Sequence, residues 1–144
     1  MGIEQARPRR INERNAMSTI ELTDDTFEST ISGNDIVMVD FWASWCGPCL
    51  QFAPVFERSS EANPEIVHAK LDTEAQRRIP AAVGITAIPT LMVFREGVLV
   101  FNQAGALPAA ALAQVVDGVK GLDMDEVRKE MAAQSNERGD ETTP

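Results

Sequence analysis

Two cysteines and one histidine are the only thiol and imidazole groups in this 144-residue chain. Structural zinc takes four such ligands, so a zinc or iron–sulfur site would have to be shared between two chains. Small secreted domains are stapled by four or more cysteines, which argues against a disulfide framework. Basic residues are also scarce, 13 against 22 acidic, for a net charge of −9. Nucleic-acid binding needs a basic face to displace counterions, so no nucleic-acid partner is expected. No apolar run approaches the roughly 18 to 20 residues that cross a bilayer, and no membrane partner is expected either. The first sixteen residues, MGIEQARPRRINERNA, contain no apolar core of a secretory signal. A cytoplasmic protein is the expectation. There is no Gly-rich dinucleotide fingerprint, so the chain cannot draw electrons from NADPH unaided, and no repeat of about 20 to 50 residues is visible.

Composition is otherwise that of a globular protein, 44% hydrophobic and 24% charged. Residues 1–17 carry a charge of +2 and read as a disordered arm, with Met17 as the functional start; residues 18–121 carry −7 and read as one domain; residues 122–144 carry −4 and read as an acidic tail. Within that tail, 122–133 has marginal helical character and the rest is expected to be disordered.

Inside the domain, TDDTFE at 23–28 offers capping and first-turn acidic residues for a short helix ending at Gly33-Asn34. DIVMVDFWA at 35–43 is a near-continuous apolar and β-branched run, the pattern of a strand buried on both faces. Helical periodicity starts near Cys46, and Pro54 within it predicts a kink. A second buried strand is expected over Ile66 to Leu71, and a short irregular helix within 73–83. Thr90 to Phe94 and Val98 to Phe101, joined at Glu96-Gly97, predict a hairpin. A last helix begins at Pro108. The order predicts an α/β fold with a parallel pair, an antiparallel hairpin and flanking helices.

Both cysteines fall in WCGPC at 45–49. Cys46 is expected in the first turn of a helix, where unpaired N–H groups and the helix dipole favour a thiolate. Cys49 lies one turn further in, which divides the pair into an attacking and a resolving thiol. Gly47 permits a tight turn, and Pro48 costs no helical hydrogen bond at that position. Asp40 interrupts the buried strand six residues earlier. Desolvation raises the pKa of such a carboxylate and suits it to proton exchange with a thiol; a buried ion pair with Lys70 is the competing reading, and both can hold. His68 has the same facing parity as Lys70 and receives no role.

Read together, VDFWASWCGPC, Phe52-Ala53-Pro54, Ala69-Lys70-Leu71-Asp72, Gly84-Ile85, Ile88-Pro89-Thr90, Gly97 and Gly105-Ala106 resemble the thioredoxin family, over about Ser18 to Gly121. The resemblance implies the thioredoxin fold, a central mixed sheet with helices on both faces. It implies a protein-disulfide reductase in which Cys46 attacks a substrate disulfide and Cys49 resolves the mixed disulfide. Asp40 would be the proton-exchanging acid, with Lys70 its neighbour. Pro89 would be a cis-proline, Ile88 would offer backbone hydrogen bonds to substrate, and Trp45, Pro89, Gly105 and Ala106 would form the receiving rim. Trp42 would pack beneath the active-site loop or serve simply in the core. No bound cofactor is implied: the working group is a Cys46–Cys49 disulfide, recharged by a thioredoxin reductase and spent on disulfide-containing proteins. Gly47-Pro48 brings no histidine between the cysteines, which places the pair at the reducing end of the family. Leu50 departs from the family, which commonly has a cation there; its loss weakens attraction to acidic partners and extends the apolar surface. A rival reading is a redox-independent binding protein or co-chaperone that uses the same surface and the acidic tail.

Overall fold

A computed structural model of the chain describes residues 18–142, with side chains through 135. The arm expected over 1–17 lies outside the described residues. The elements are β1 (Thr19–Glu21), α1 (Phe27–Gly33), β2 (Ile36–Trp42), α2 (Gly47–Ala62), β3 (Val67–Asp72), α3 (Arg78–Ala82), β4 (Thr90–Arg95), β5 (Val98–Ala104), α4 (Ala109–Lys120) and α5 (Met124–Thr142). Five strands form one mixed sheet in the order β1-β3-β2-β4-β5. β1, β3 and β2 run parallel, while β4 and β5 are antiparallel to their neighbours.

β2 is central, and its first six residues are buried, as its unbroken apolar run predicts. Its side chains alternate between two cores. Val37, Val39 and Phe41 face α1 and α3, against Phe27, Ile31 and Ile79. Ile36 and Met38 face α2 and α4, against Phe52, Phe56, Leu112 and Val116. Helices therefore cover both faces of the sheet. Asp40 shares the parity of Met38 and so lies on the α2 side.

β1 was not anticipated. Three residues are too few to show a period, and the strand exists because Thr19, Ile20 and Glu21 pair with His68, Ala69 and Lys70. Asp24 also acts elsewhere than expected: its carboxylate oxygens accept hydrogen bonds from the backbone N–H groups of Ile79 (2.8 Å) and Arg78 (3.2 Å), capping α3 from a distant part of the chain. These bonds, the Ile79 one foremost, hold its pKa below the usual carboxylate range. The hairpin turns at Glu96 and Gly97, both at positive φ, as the twist of a two-residue hairpin requires.

In the tail, α5 runs from Met124 to Thr142 and so includes most of the marginal helix expected over 122–133. Asp123 caps its start, its Oδ1 accepting from the N–H groups of Asp125 and Glu126. Met124 is buried, and Arg128 pairs with Glu96 of the hairpin turn at 2.8 Å. Arg95 donates to the carbonyls of Val119, Lys120 and Leu122, satisfying helix-end acceptors that α4 leaves open. The helix start is thus tied to the hairpin, and the good helix formers of its first part, through Gln134, propagate readily from such a nucleus.

His68 is buried, with Nε2 2.9 Å from Ser59 Oγ, Nδ1 3.1 Å from the Ile66 carbonyl, and its ring 5.0 Å from that of Phe56. Both nitrogens are satisfied by a neutral ring donating to Ile66 and accepting from Ser59, and burial lowers its pKa in agreement. Phe56 is wholly buried between this ring and that of Phe52. Phe56→Ala should therefore lower unfolding free energy by about 3 to 5 kcal/mol, read from the urea midpoint; a loss under about 1 kcal/mol would mean the site collapses around the smaller side chain.

Candidate active site

The buried strand β2 ends at Trp42, and after four residues, 43–46, the chain enters α2. Cys46 is the N-cap of α2, with extended backbone (φ −93°, ψ 111°), rather than a residue of its first turn. Its Sγ accepts a hydrogen bond from the Cys49 N–H at 3.2 Å. That is the place of a capping oxygen, so the helix end is built to stabilise negative charge on this sulfur. Gly47 and Pro48 are the first helical residues, where a missing N–H costs nothing. Cys46 and Cys49 form a disulfide, with Cα atoms 5.2 Å apart. Both are buried, and they cluster with Ala43, Trp42 and Ile88.

Asp40 is completely buried, and neither of its oxygens has a hydrogen-bond partner. Desolvation pushes its pKa up from 3.8 to about 7, against the opposing pull of the Lys70 charge. Lys70 is its register neighbour on β3, but its ammonium lies over the Trp42 ring, 4.5 Å from the centroid. The structure thus brings Asp40, Lys70 and Trp42 together beneath α2, on the face that carries Cys49.

The Ile88–Pro89 bond is cis. The Ile88 carbonyl oxygen lies 3.7 Å from Cys46 Sγ, and Gly105 N–H donates to the Pro89 carbonyl at 2.7 Å. This bond brings the end of β5 beside the proline. Gly105 and Ala106 are exposed there. Trp45 is 68% exposed and Leu50 53% exposed, so both add apolar surface around the cysteines.

A cleft of about 740 Å³ opens at Cys46; of the residues expected to receive substrate, Trp45 and Ile88 line it, together with Gly47 and Pro48 of the motif. Pro89, Gly105 and Ala106 do not line it. The far wall is instead Thr73, Arg77, Pro80, Ala81, Ile85 and Thr86; of these only Ile85 belongs to a motif read in the sequence, and none was expected in the receiving surface. The signals there, a short irregular helix within 73–83 and the Gly84-Ile85 motif, do not say what the segment faces. Among the described residues no cluster of acidic, histidine and cysteine side chains could hold a metal, and no helix is long and apolar enough to cross a membrane.

The raised pKa of Asp40 has a thermodynamic consequence. Between about pH 4 and pH 7 the folded protein keeps a proton that the unfolded chain releases, so this group's ionisation removes stability as pH rises. The loss is absent below pH 4 and complete above pH 7, and about three pKa units correspond to roughly 4 kcal/mol at most. Asp40→Asn should remove this dependence, so that the variant gains on the native chain as pH goes from 4 to 8. Urea unfolding of the oxidised proteins checks this; parallel stability profiles would refute it.

The thioredoxin family profile matches residues 18–118. The chain is 55% identical over 122 residues to a putative thioredoxin 2 of Streptomyces coelicolor, covering 85% of this chain and 91% of that one. It is 41% identical over 102 residues to thioredoxin C-3 of Corynebacterium nephridii, covering 70% of each. Among solved structures, thioredoxin of Plasmodium falciparum superposes with a TM-score of 0.65 at 35% identity, over 69% of this chain and 97% of that one. A mutant thioredoxin of Halobacterium salinarum superposes with a TM-score of 0.68 at 29% identity, over 74% and 95%. These likenesses, with a disulfide between the two cysteines, favour redox chemistry over a binding-only role. The chain belongs to the thioredoxin family and is a thiol–disulfide oxidoreductase.

Proposed function

We propose that this protein reduces disulfides in other proteins, with Cys46 as nucleophile and Cys49 as resolving thiol. The observation that carries the assignment is the Cys46 sulfur at the N-cap of α2, accepting the Cys49 N–H. In the reduced protein the Cys46 thiolate attacks one sulfur of the substrate disulfide. An S–S bond forms between Cys46 and substrate while the substrate's own S–S bond breaks, and its second sulfur leaves as a thiolate and takes a proton. Cys49 then gives up its proton, attacks Cys46 Sγ and expels the other substrate thiolate. Two electrons have passed to the substrate, and the Cys46–Cys49 disulfide remains.

Asp40 is the acceptor for the Cys49 proton. A base works best when its pKa lies near the working pH, and burial places Asp40 at about 7. Lys70 lowers that value by its charge. Ile88 supplies backbone to an extended substrate segment beside Cys46, with Trp45, Pro89, Gly105 and Ala106 as apolar surroundings. Recharging needs a two-electron donor, a separate thioredoxin reductase, because the chain has no dinucleotide-binding fingerprint. A close, reactive cysteine pair without further disulfides suits a reducing compartment, and we place the protein in the cytoplasm.

Turnover of insulin disulfides with NADPH and a thioredoxin reductase tests the assignment. Cys46→Ser should reduce the rate to background, whereas Cys49→Ser should accumulate mixed disulfides visible on non-reducing gels. Full activity in Cys46→Ser would overturn the mechanism.

A further inference from the structure

Lys70 stands in register between two carboxylates, Glu21 on β1 and Asp40 on β2. Residues paired across parallel strands project to the same face, so an ammonium on a four-carbon stem has a carboxylate on either side. It bonds to neither Asp40 oxygen, since both lack any partner. Its Nζ lies 4.5 Å from the centroid of Trp42, which follows Asp40 by two residues and shares its face.

We infer that Trp42 is a positioning residue: its indole face holds the Lys70 ammonium off Asp40, leaving that carboxyl without an ion-pair partner. Two placements of the ammonium compete. Pairing with Asp40 would bring both charges out of water, a desolvation that a buried ion pair offsets only with good geometry. Over the indole, the half-buried Lys70 keeps an attractive π surface and part of its hydration. Removing the ring takes away one side of that balance and frees the ammonium to reach Asp40.

Few other charges compete at this place. On β3, His68 is engaged with Ser59 and Ile66, and Asp72 accepts from the N–H groups of Glu74 and Ala75. β4 puts Leu91 opposite Asp40. α2 contributes the Cys46 and Cys49 sulfurs, its charged Glu57, Arg58 and Glu61 following about two turns or more beyond Cys49. On α4, Lys120 is paired with Glu65 ahead of β3, and Asp117 precedes it by nearly one turn. Glu21 is exposed on the edge strand. Burial raises the Asp40 pKa and the Lys70 charge opposes it, so the distance between these two groups shifts the point at which the buried carboxyl ionises. The consequence for catalysis rests on the assignment of Asp40 as proton acceptor above.

The test is the titration of the Asp40 carboxyl carbon by NMR in the oxidised protein, in four forms: native, Trp42→Leu, Lys70→Met and the double variant. Trp42→Leu should make Asp40 about tenfold more acidic, one unit lower in midpoint, and the same change in the Lys70→Met background should have almost no effect. Equal shifts in the two backgrounds, or no shift in either, would overturn the inference, because the indole would then act only by excluding water. Trp42→Phe keeps a weaker π face and most of the volume. It should give a smaller, Lys70-dependent shift in the same direction, and it carries the test should the leucine variant not fold. The pH–rate profile of disulfide reduction is read alongside: a midpoint that moves with Lys70 while the profile stays still supports the placement of Lys70 and removes Asp40 from the proton-exchange role.

Discussion

The burial of β2 on both faces is the constraint from which the rest follows. A strand that packs helices against each side must be apolar along nearly its whole length, and this one is, apart from Asp40. The carboxyl is therefore held in a medium that resists its ionisation, and the chain must leave the sheet at the end of the strand to start α2. Asp40 and Cys46 owe their unusual properties to the same strand, one by lying within it and the other by lying just past its end.

Placement at the N-cap makes the two sulfurs unequal. Cys46 stands where a helix accepts negative charge and beside an open cleft. Cys49 is one turn inside, against the sheet face that carries Asp40. A single helix start thus places one sulfur at the cap beside the cleft and the other a turn inside, on the side of the sheet that carries the buried acid. The Trp42–Lys70 contact belongs to this arrangement, since a cation held on an indole leaves the carboxyl with no partner of its own.

Local pattern carried much of this. The buried strand, the helix entered near Cys46, the Glu96-Gly97 hairpin and the helix after Pro108 all rest on short-range signals: apolar runs, turn residues and a first-turn proline. Where partners lay far apart in sequence the signal failed. β1 is three residues defined by pairing with β3, Asp24 caps a helix more than fifty residues downstream, and the start of α5 is tied to the hairpin by Arg95 at the Leu122 carbonyl and by Glu96 with Arg128. In the far wall of the cleft Thr73, Arg77 and Thr86 carry no motif and were invisible for the same reason.

By itself the amino-acid sequence determined the pair of cysteines, their two-residue spacing, the apolar strand before them and the carboxylate within it, because each is a local property of consecutive residues. Only the tertiary structure decided that Ile88 lies beside Cys46, that the open cleft runs toward α3 rather than toward Gly105 and Ala106, and that Lys70 rests on Trp42 rather than on Asp40. Those outcomes depend on which strands pair and in what register, a matter settled by packing across the whole sheet.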